Sequence, residues 1–265
     1  MKVTALIYHD VLADHGADDS GFAGADARTY KLTETQFHRH LDLISALPSA
    51  VPLRLAERAG EEPSGAALLL TFDDGGASAP TRIMPALRQR SWPAHFFVTT
   101  DRIGTPGFMT PQGVRELHGA GHVVGTHSAS HPARMSSLPY ELMCREWSDS
   151  RARLEDLLGT AVTVASVPGG YYSPAVARAA AQAGIGVLFT SEPQRSVRYI
   201  DGLTVIGRFS VTRRTSDADI VSLASGSGAA AVRQRLAWDT KKLAKRIGGE
   251  AWLTARRRFF ELRRR

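Results

Sequence analysis

The sequence predicts an α/β fold, a distorted or incomplete (β/α) barrel of about seven parallel strands followed by a basic helical tail. Three observations carry that expectation. Seven short runs are rich in β-branched or aromatic residues, five helical patterns fall between them, and the composition changes after residue 225. Strands that alternate with helices imply βα units and a mostly parallel sheet.

The strand-like runs are Val3–Tyr8, Ala67–Phe72, Ala94–Thr99, Val123–Thr126, Val162–Val167, Val187–Thr190 and Leu203–Val211. The helical patterns are Glu34–Leu47, Thr81–Arg90, Pro111–Gly119, Tyr140–Leu158 and Pro174–Ala183. Their boundaries carry capping chemistry. Thr33 followed by Gln36 resembles a capping box, and Thr110-Pro111 and Ser173-Pro174 each place a hydroxyl at the cap and proline at the first helical position. Gly184 supplies a helix stop. Seven such units within about 225 residues suit a (β/α) barrel better than an open doubly wound sheet, and in either case function collects at the carboxyl ends of the strands.

The chain has 265 residues, a formal charge of +7 and 43% hydrophobic residues, a composition that excludes whole-chain disorder. Its single cysteine, Cys144, cannot form an internal disulfide. The first apolar run ends at His9-Asp10, too early for a signal peptide, and no run approaches the ~18–20 apolar residues of a membrane span. These features predict a cytoplasmic protein. From Val232 to Arg265 there are 12 Lys and Arg against Asp239, Glu250 and Glu261, so 21 cations and 23 acids remain for the rest. The basic pI belongs to the tail. Ser225-Gly226-Ser227-Gly228 reads as a joint, which predicts a barrel over 1–225 and a basic amphipathic helical tail over 226–265. Such a tail either contacts an anionic membrane surface, here the inner face, or packs on the body with a solvated basic face. No nucleic-acid module accompanies the charge, and no nucleic-acid partner is expected.

Two segments can carry chemistry. Leu68–Phe72 runs apolar into Asp73-Asp74-Gly75-Gly76, placing two acids where a buried strand surfaces, and the turn at Gly75 lets both reach one pocket. Val123–Thr126 runs into His127-Ser128-Ala129-Ser130-His131. Two imidazoles four residues apart can converge on one metal ion, and with one carboxylate they complete an open catalytic zinc set that keeps a position for water. The other carboxylate is then a base for that water.

Both segments resemble the motifs of the polysaccharide deacetylases, carbohydrate esterases of family 4 with a distorted (β/α) barrel. Thr71–Gly75 (TFDDG) is similar to the first motif of that family and His127–His131 (HSASH) to its second. The resemblance runs over about 1–215. It implies Asp73 as catalytic base, Asp74, His127 and His131 as metal ligands, and one divalent ion, Zn2+ with Co2+ or Ni2+ as substitutes. The third motif is poorly matched. Ser166 stands near the expected arginine, and Gly169, Gly170 and Tyr171 cover the stretch that supplies substrate and oxyanion contacts. The cation beside the base must come from elsewhere, and Arg208 is the candidate. The family's late histidine, its general acid, has no counterpart after His131, which leaves His9 at the end of the first strand as the candidate proton donor. The resemblance implies N-deacetylation of an amino-sugar glycan or a glycan precursor such as a lipid-linked sugar, as in exopolysaccharide synthesis. A catalytically impaired metal-containing glycan-binding or scaffold protein, and an esterase or amidase for small substrates, are the competing readings.

Overall fold

The computed structural model of the chain describes residues 2–48, 50–55, 67–226 and 228–240. In chain order the strands are β1 (Val3–Tyr8), β2 (Val11–Leu12), β3 (Leu32–Thr33), β4 (Ala67–Phe72), β5 (His95–Val98), β6 (Val123–Thr126), β7 (Val164–Ser166), β8 (Val187–Phe189), β9 (Arg198–Ile200), β10 (Leu203–Ile206) and β11 (Phe209–Ser210). The α-helices are α1 (Ala25–Arg28), α2 (Glu34–Ser45), α3 (Met84–Arg88), α4 (Pro111–Gly119), α5 (Tyr140–Leu158), α6 (Pro174–Gln182) and α7 (Asp217–Ala224), with a further helix over 229–240. The reading of the tail beyond 240 lies outside the described residues.

The sheet order is β11-β1-β4-β5-β6-β7-β8-β10-β9. β10 and β11 belong to one segment, interrupted only by Gly207-Arg208, whose start pairs with β8 and whose end pairs with β1, both parallel. That segment curls the sheet back on itself. Gly207 is needed at the break, because a Cβ there would lie 2.4 Å from the Glu192 carbonyl oxygen. Only β9 runs against the rest, as an antiparallel partner of β10. With β10 and β11 counted as one, seven parallel positions and the antiparallel β9 result, and the distorted (β/α) barrel expected from the sequence is the observed fold.

Side-chain alternation builds two buried surfaces, the arrangement expected of a sheet covered by helices. Val3, Ala5, Ala67, Leu69, Phe97, Val164, Phe189 and Ile206 form a cluster inside the curl. Their alternates Leu6, Tyr8, Leu68, Leu70, Phe72 and Phe96 pack outward with Phe37, Leu41 and Ile44 of α2. Pro111–Gly119 and Tyr140–Leu158 are helices over the residues expected. Thr33 and Gln36 form the full capping box, and Thr110 and Ser173 cap α4 and α6. The helix expected over Thr81–Arg90 is instead a π turn, Ala79–Ile83, leading into α3. Pro85 explains it: proline has no N–H for the normal i→i−4 bond, and the wider turn, closed by Met84 N–H on the Ala79 carbonyl, precedes it.

Candidate active site

Every candidate residue of the barrel lies after the carboxyl end of a strand: His9 after β1, Asp73 and Asp74 after β4, His127 and His131 after β6, Gly169 and Gly170 after β7, and Arg208 in the break between β10 and β11. Most of them line one cavity of about 480 Å3, which includes His9, Asp73, Asp74, His127, His131, Gly169 and Gly170. Tyr171 does not line it; the Arg134 guanidinium lies 5.1 Å from the centre of its ring.

Asp74, His127 and His131 each offer one donor atom, and the three atoms lie within 4.8 Å of one another. His127 Nε2 is 3.4 Å and His131 Nε2 3.5 Å from Asp74 Oδ1. The backbone is bent to achieve this. Asp74, Ser128 and His131 have φ of +77°, +67° and +59°, a left-handed conformation that L residues with side chains adopt rarely and at a cost of order 1–3 kcal/mol each. Three of the five positive-φ residues other than glycine among the described residues thus fall in this one cluster. Two imidazole nitrogens and a carboxylate oxygen fit a divalent ion of the zinc type. His127 supports the fit, since its Nδ1 lies 3.0 Å from the Ser166 carbonyl oxygen; an N–H there donates to that oxygen and leaves the Nε2 lone pair for an ion.

Burial works against charge on His127, but Asp73 and then Asp74 outweigh it and raise the imidazole above its ordinary value. His131, where burial and the neighbouring His127 dominate, is pushed down to about 4. Burial likewise works against the Asp74 carboxylate, and the His127 hydrogen bond with the surrounding histidines holds it well below the usual range. The cluster thus joins one ionised carboxylate to two imidazoles, a donor set suited to a cation.

Arg208 is fully buried and all five of its N–H donors are used. Nη1 and Nη2 each lie 2.8 Å from one oxygen of Asp73, while the remaining donors reach Thr71 Oγ1 at 3.0 Å, Ser166 Oγ at 2.8 Å and the Thr190 carbonyl at 3.2 Å. The guanidinium also lies 5.5 and 5.8 Å from the ring centres of Phe97 and Phe189. Burial would raise the Asp73 pKa; Arg208, followed by His127, outweighs it and holds the carboxyl below its ordinary value. Asp73 continues the inward alternation of Ala67, Leu69 and Thr71, and this explains why it meets Arg208 while the twisted Asp74 turns to the histidines. Ser166, where the resembling family has arginine, joins the same network: its hydroxyl donates to Asp73 Oδ2 at 3.1 Å and lies 2.9 Å from His127 Nδ1.

His9 lines the cavity with Nδ1 buried and without a hydrogen-bond partner among the described residues, its ring 4.9 Å from that of Tyr30. Several cavity residues were not foreseen. Asp10 is buried, accepting from Ser20 Oγ at 2.5 Å and Ser78 Oγ at 2.8 Å, and beside it Lys31 donates to Asp18 and to the Ser20 carbonyl. This network ties the 13–31 segment, with Phe22 and Tyr30 on the cavity wall, to the loop after β4. A lone aspartate after a strand carries no signal in sequence, since its partners are scattered over seventy residues. Trp238, from the 229–240 helix, is the other unforeseen wall residue.

Comparison with known proteins agrees with the geometry. Residues 60–188 match the family model described as "Polysaccharide deacetylase". YxkH of Bacillus subtilis (strain 168), a relative named for that family, is 22% identical over 203 residues, 74% of this chain and 67% of that protein. Among solved structures, IcaB from Ammonifex degensii aligns with a TM-score of 0.68 at 23% identity, over 84% of this chain and 97% of that one. A Streptococcus pyogenes deacetylase, PplD, in complex with acetate, aligns with a TM-score of 0.67 at 18% identity, over 84% and 98%. At such identities the structures speak for the shared fold. With both motifs inside the matched segment and the same barrel around them, residues 60–188 of the chain are similar to the polysaccharide deacetylase family, in keeping with the resemblance of its two motifs.

Proposed function

We propose that this protein is a metal-dependent hydrolase that removes N-acetyl groups from an amino-sugar glycan or glycan precursor. The observation that carries the reading is the cluster of Asp74, His127 and His131 with the Arg208-clamped Asp73 beside it, at one end of one cavity. Asp74 and the two histidines would hold the ion, which when bound supplies a Lewis acid for the acetyl carbonyl and a water of lowered pKa. Asp73 is the base that takes the proton of the attacking water. Arg208 keeps it ionised and fixed in orientation, and Asp73 Oδ2 lies 4.0 Å from His127 Nε2, near the metal ligands. Gly169 and Gly170 line the cavity, and the Gly169 backbone N–H is the candidate oxyanion donor, since that of Gly170 donates to the Val167 carbonyl at 3.4 Å. Water oxygen adds to the acetyl carbon, the C–N bond breaks, and the leaving amine takes a proton, for which His9 is the candidate donor. Products are acetate and the free amino sugar.

The test is acetate release by zinc-loaded protein from N-acetylglucosamine oligomers of several linkages, with Asp73→Asn as the blank. Release by the native protein alone, abolished by a chelator and restored by Zn2+, is the expected result; equal release by Asp73→Asn would overturn the assignment. No helix among the described residues is long and apolar enough to cross a membrane. The charge of the tail supports the finer reading that the substrate is lipid-linked and met at a membrane face. Unchanged vesicle binding after removal of residues 241–265 would sink that part alone.

A further inference from the structure

The segment from His127 to His131 carries two of the three candidate metal ligands on a backbone that is left-handed at Ser128 and His131. Such a loop keeps its shape only where its surroundings over-determine it, so the destination of each backbone N–H shows what holds it. The His127 N–H donates to the Val98 carbonyl of β5 at 2.9 Å. Those of Ser128 and His131 stay local, donating to Thr126 Oγ1 at 3.0 Å and to Ser128 Oγ at 3.1 Å. The two that remain both go to one residue of α5. The Ala129 N–H donates to the Glu146 carbonyl at 3.1 Å, and the Ser130 N–H to Glu146 Oε2 at 2.9 Å. The Ser130 hydroxyl donates to the other carboxylate oxygen, Oε1, at 2.5 Å.

Glu146 therefore holds one residue with both oxygens, a two-point contact that fixes orientation as well as position. One helical turn later Ser150 lies against Thr126 Oγ1, the atom that receives the Ser128 N–H. Residues four apart share a helix face, so α5 supports the loop through both. The Ser128 and Ala129 carbonyls are held separately, by the backbone N–H groups of Thr100 at 3.3 Å and Asp101 at 3.0 Å. Among the described residues, Glu146 is the one side chain outside 126–131 that bonds the residues between the two histidines.

The two imidazoles are secured differently. His127 is oriented through its own ring by Ser166, and its side chain is 2% exposed. The His131 side chain is 22% exposed, and its orientation rests on the Phe22 ring, 4.7 Å away, and on the backbone that carries it. Glu146 does not line the catalytic cavity, so whatever it contributes there passes through this loop.

Resting on the metal reading of the cluster, we infer that Glu146 is a positioning residue for the metal centre: its carboxylate, accepting from both the N–H and the hydroxyl of Ser130, holds the loop so that His131 Nε2 is already set beside Asp74 and His127. A loop ordered in advance binds an ion more tightly, because no ordering cost is subtracted on binding.

The experiment measures zinc affinity by competition with a chromophoric chelator for the native protein, Glu146→Ala, Glu146→Gln and Ser130→Ala, together with hydrogen exchange over residues 128–131 in the zinc-free proteins. Alanine is a good helix former, so Glu146→Ala keeps α5. Glutamine accepts the Ser130 N–H through its oxygen and donates to the hydroxyl through its nitrogen, preserving both contacts without the charge. Glu146→Ala is expected to weaken zinc binding about 10-fold and to speed exchange of the Ser130 amide, whereas Glu146→Gln stays within about threefold of native. Ser130→Ala keeps the N–H contact and should fall between them. Affinity of Glu146→Ala within about twofold of native, or an equal loss in Glu146→Gln, overturns the inference and leaves the deacetylase reading intact. A native protein that takes up no zinc overturns the metal reading and this inference together.

Discussion

Replacing Arg208 by methionine tests the charge arrangement around Asp73 most directly. The change keeps a long apolar stem between Phe97 and Phe189 and removes all five donors, two of them the bonds to Asp73. Breaking a buried pair by deleting one partner costs about 3–5 kcal/mol, because the other charge stays desolvated. Asp73 can escape by taking up a proton. From an ordinary value of 3.8 that costs about 4 kcal/mol at pH 7, at 1.36 kcal/mol per unit, so the loss is capped near that figure. For a domain of this size a loss of 3–4 kcal/mol lowers Tm by roughly 6–16 °C. The sign of the pH dependence follows. In the native protein the lowered Asp73 pKa contributes stability above the unfolded value that is lost as pH falls through the folded value. In the variant burial acts unopposed by Arg208 and raises that pKa, so proton uptake relieves the penalty and the gap between the two proteins narrows from pH 7 to pH 5. Urea and thermal unfolding of the chelator-treated proteins across this range measure it. A Tm within 2 °C of native at pH 7, or a gap independent of pH, refutes the reasoning.

Three other outcomes are expected. Asp73→Asn should lose nearly all acetate release while retaining one bound zinc by elemental analysis, whereas His127→Ala should lose both; zinc lost equally from the two would place Asp73 among the ligands. His122 is buried with Nδ1 accepting the Ala94 N–H at 3.2 Å, and burial pushes its pKa down to about 4. The unfolded chain therefore binds the extra proton first, stability is full above about pH 6.5, and up to about 3 kcal/mol is lost as pH falls to 4. His122→Asn, which keeps an acceptor but cannot titrate, should flatten the unfolding profile between these limits, and an unchanged slope would exclude His122 as its source. Gly125→Ala in β6 puts a Cβ 2.6 Å from the Val164 carbonyl oxygen and should cost about 1–3 kcal/mol by overpacking, read as a lower urea midpoint at constant slope.

The strands and helices that carry the site were legible because their punctuation is local. The Thr33–Gln36 box and the hydroxyl-proline starts at 110 and 173 act within one helical turn, and the structure has them as caps. The grouping of Asp74 with His127 and His131 was legible because parallel βα units deliver neighbouring strand ends to one face. What stayed hidden depends on separation along the chain. Ser78 meets Asp10 across 68 residues, a pairing that leaves no local pattern, whereas Arg208, 135 residues from Asp73, was named only because the resemblance calls for a cation beside the base and the expected position holds Ser166. Tyr171, placed by its position after β7, turns out beside Arg134 because the left-handed Gly169 and Gly170 redirect the chain before it. Trp238 was hidden for another reason. Its helix reads as basic and amphipathic, and nothing in that pattern distinguishes a face docked on the barrel from one that is free.

The returning segment from Leu203 to Ser210 has a consequence for the order in which the site is assembled. The family match ends at residue 188, but the cation that Asp73 depends on lies twenty residues later, on the last piece of chain to join the sheet. A chain that stops after β8 has Asp73, Asp74, His127 and His131, yet β1 lacks its second neighbour and Asp73 lacks the Arg208 counter-charge. Such a fragment must leave its ends open to water. Closing the ring joins residues some two hundred positions apart, a loop whose entropy is recovered only when the final contacts form, so it belongs late in folding. The Arg208–Asp73 contact is therefore made only once the last strand closes the sheet beside β1.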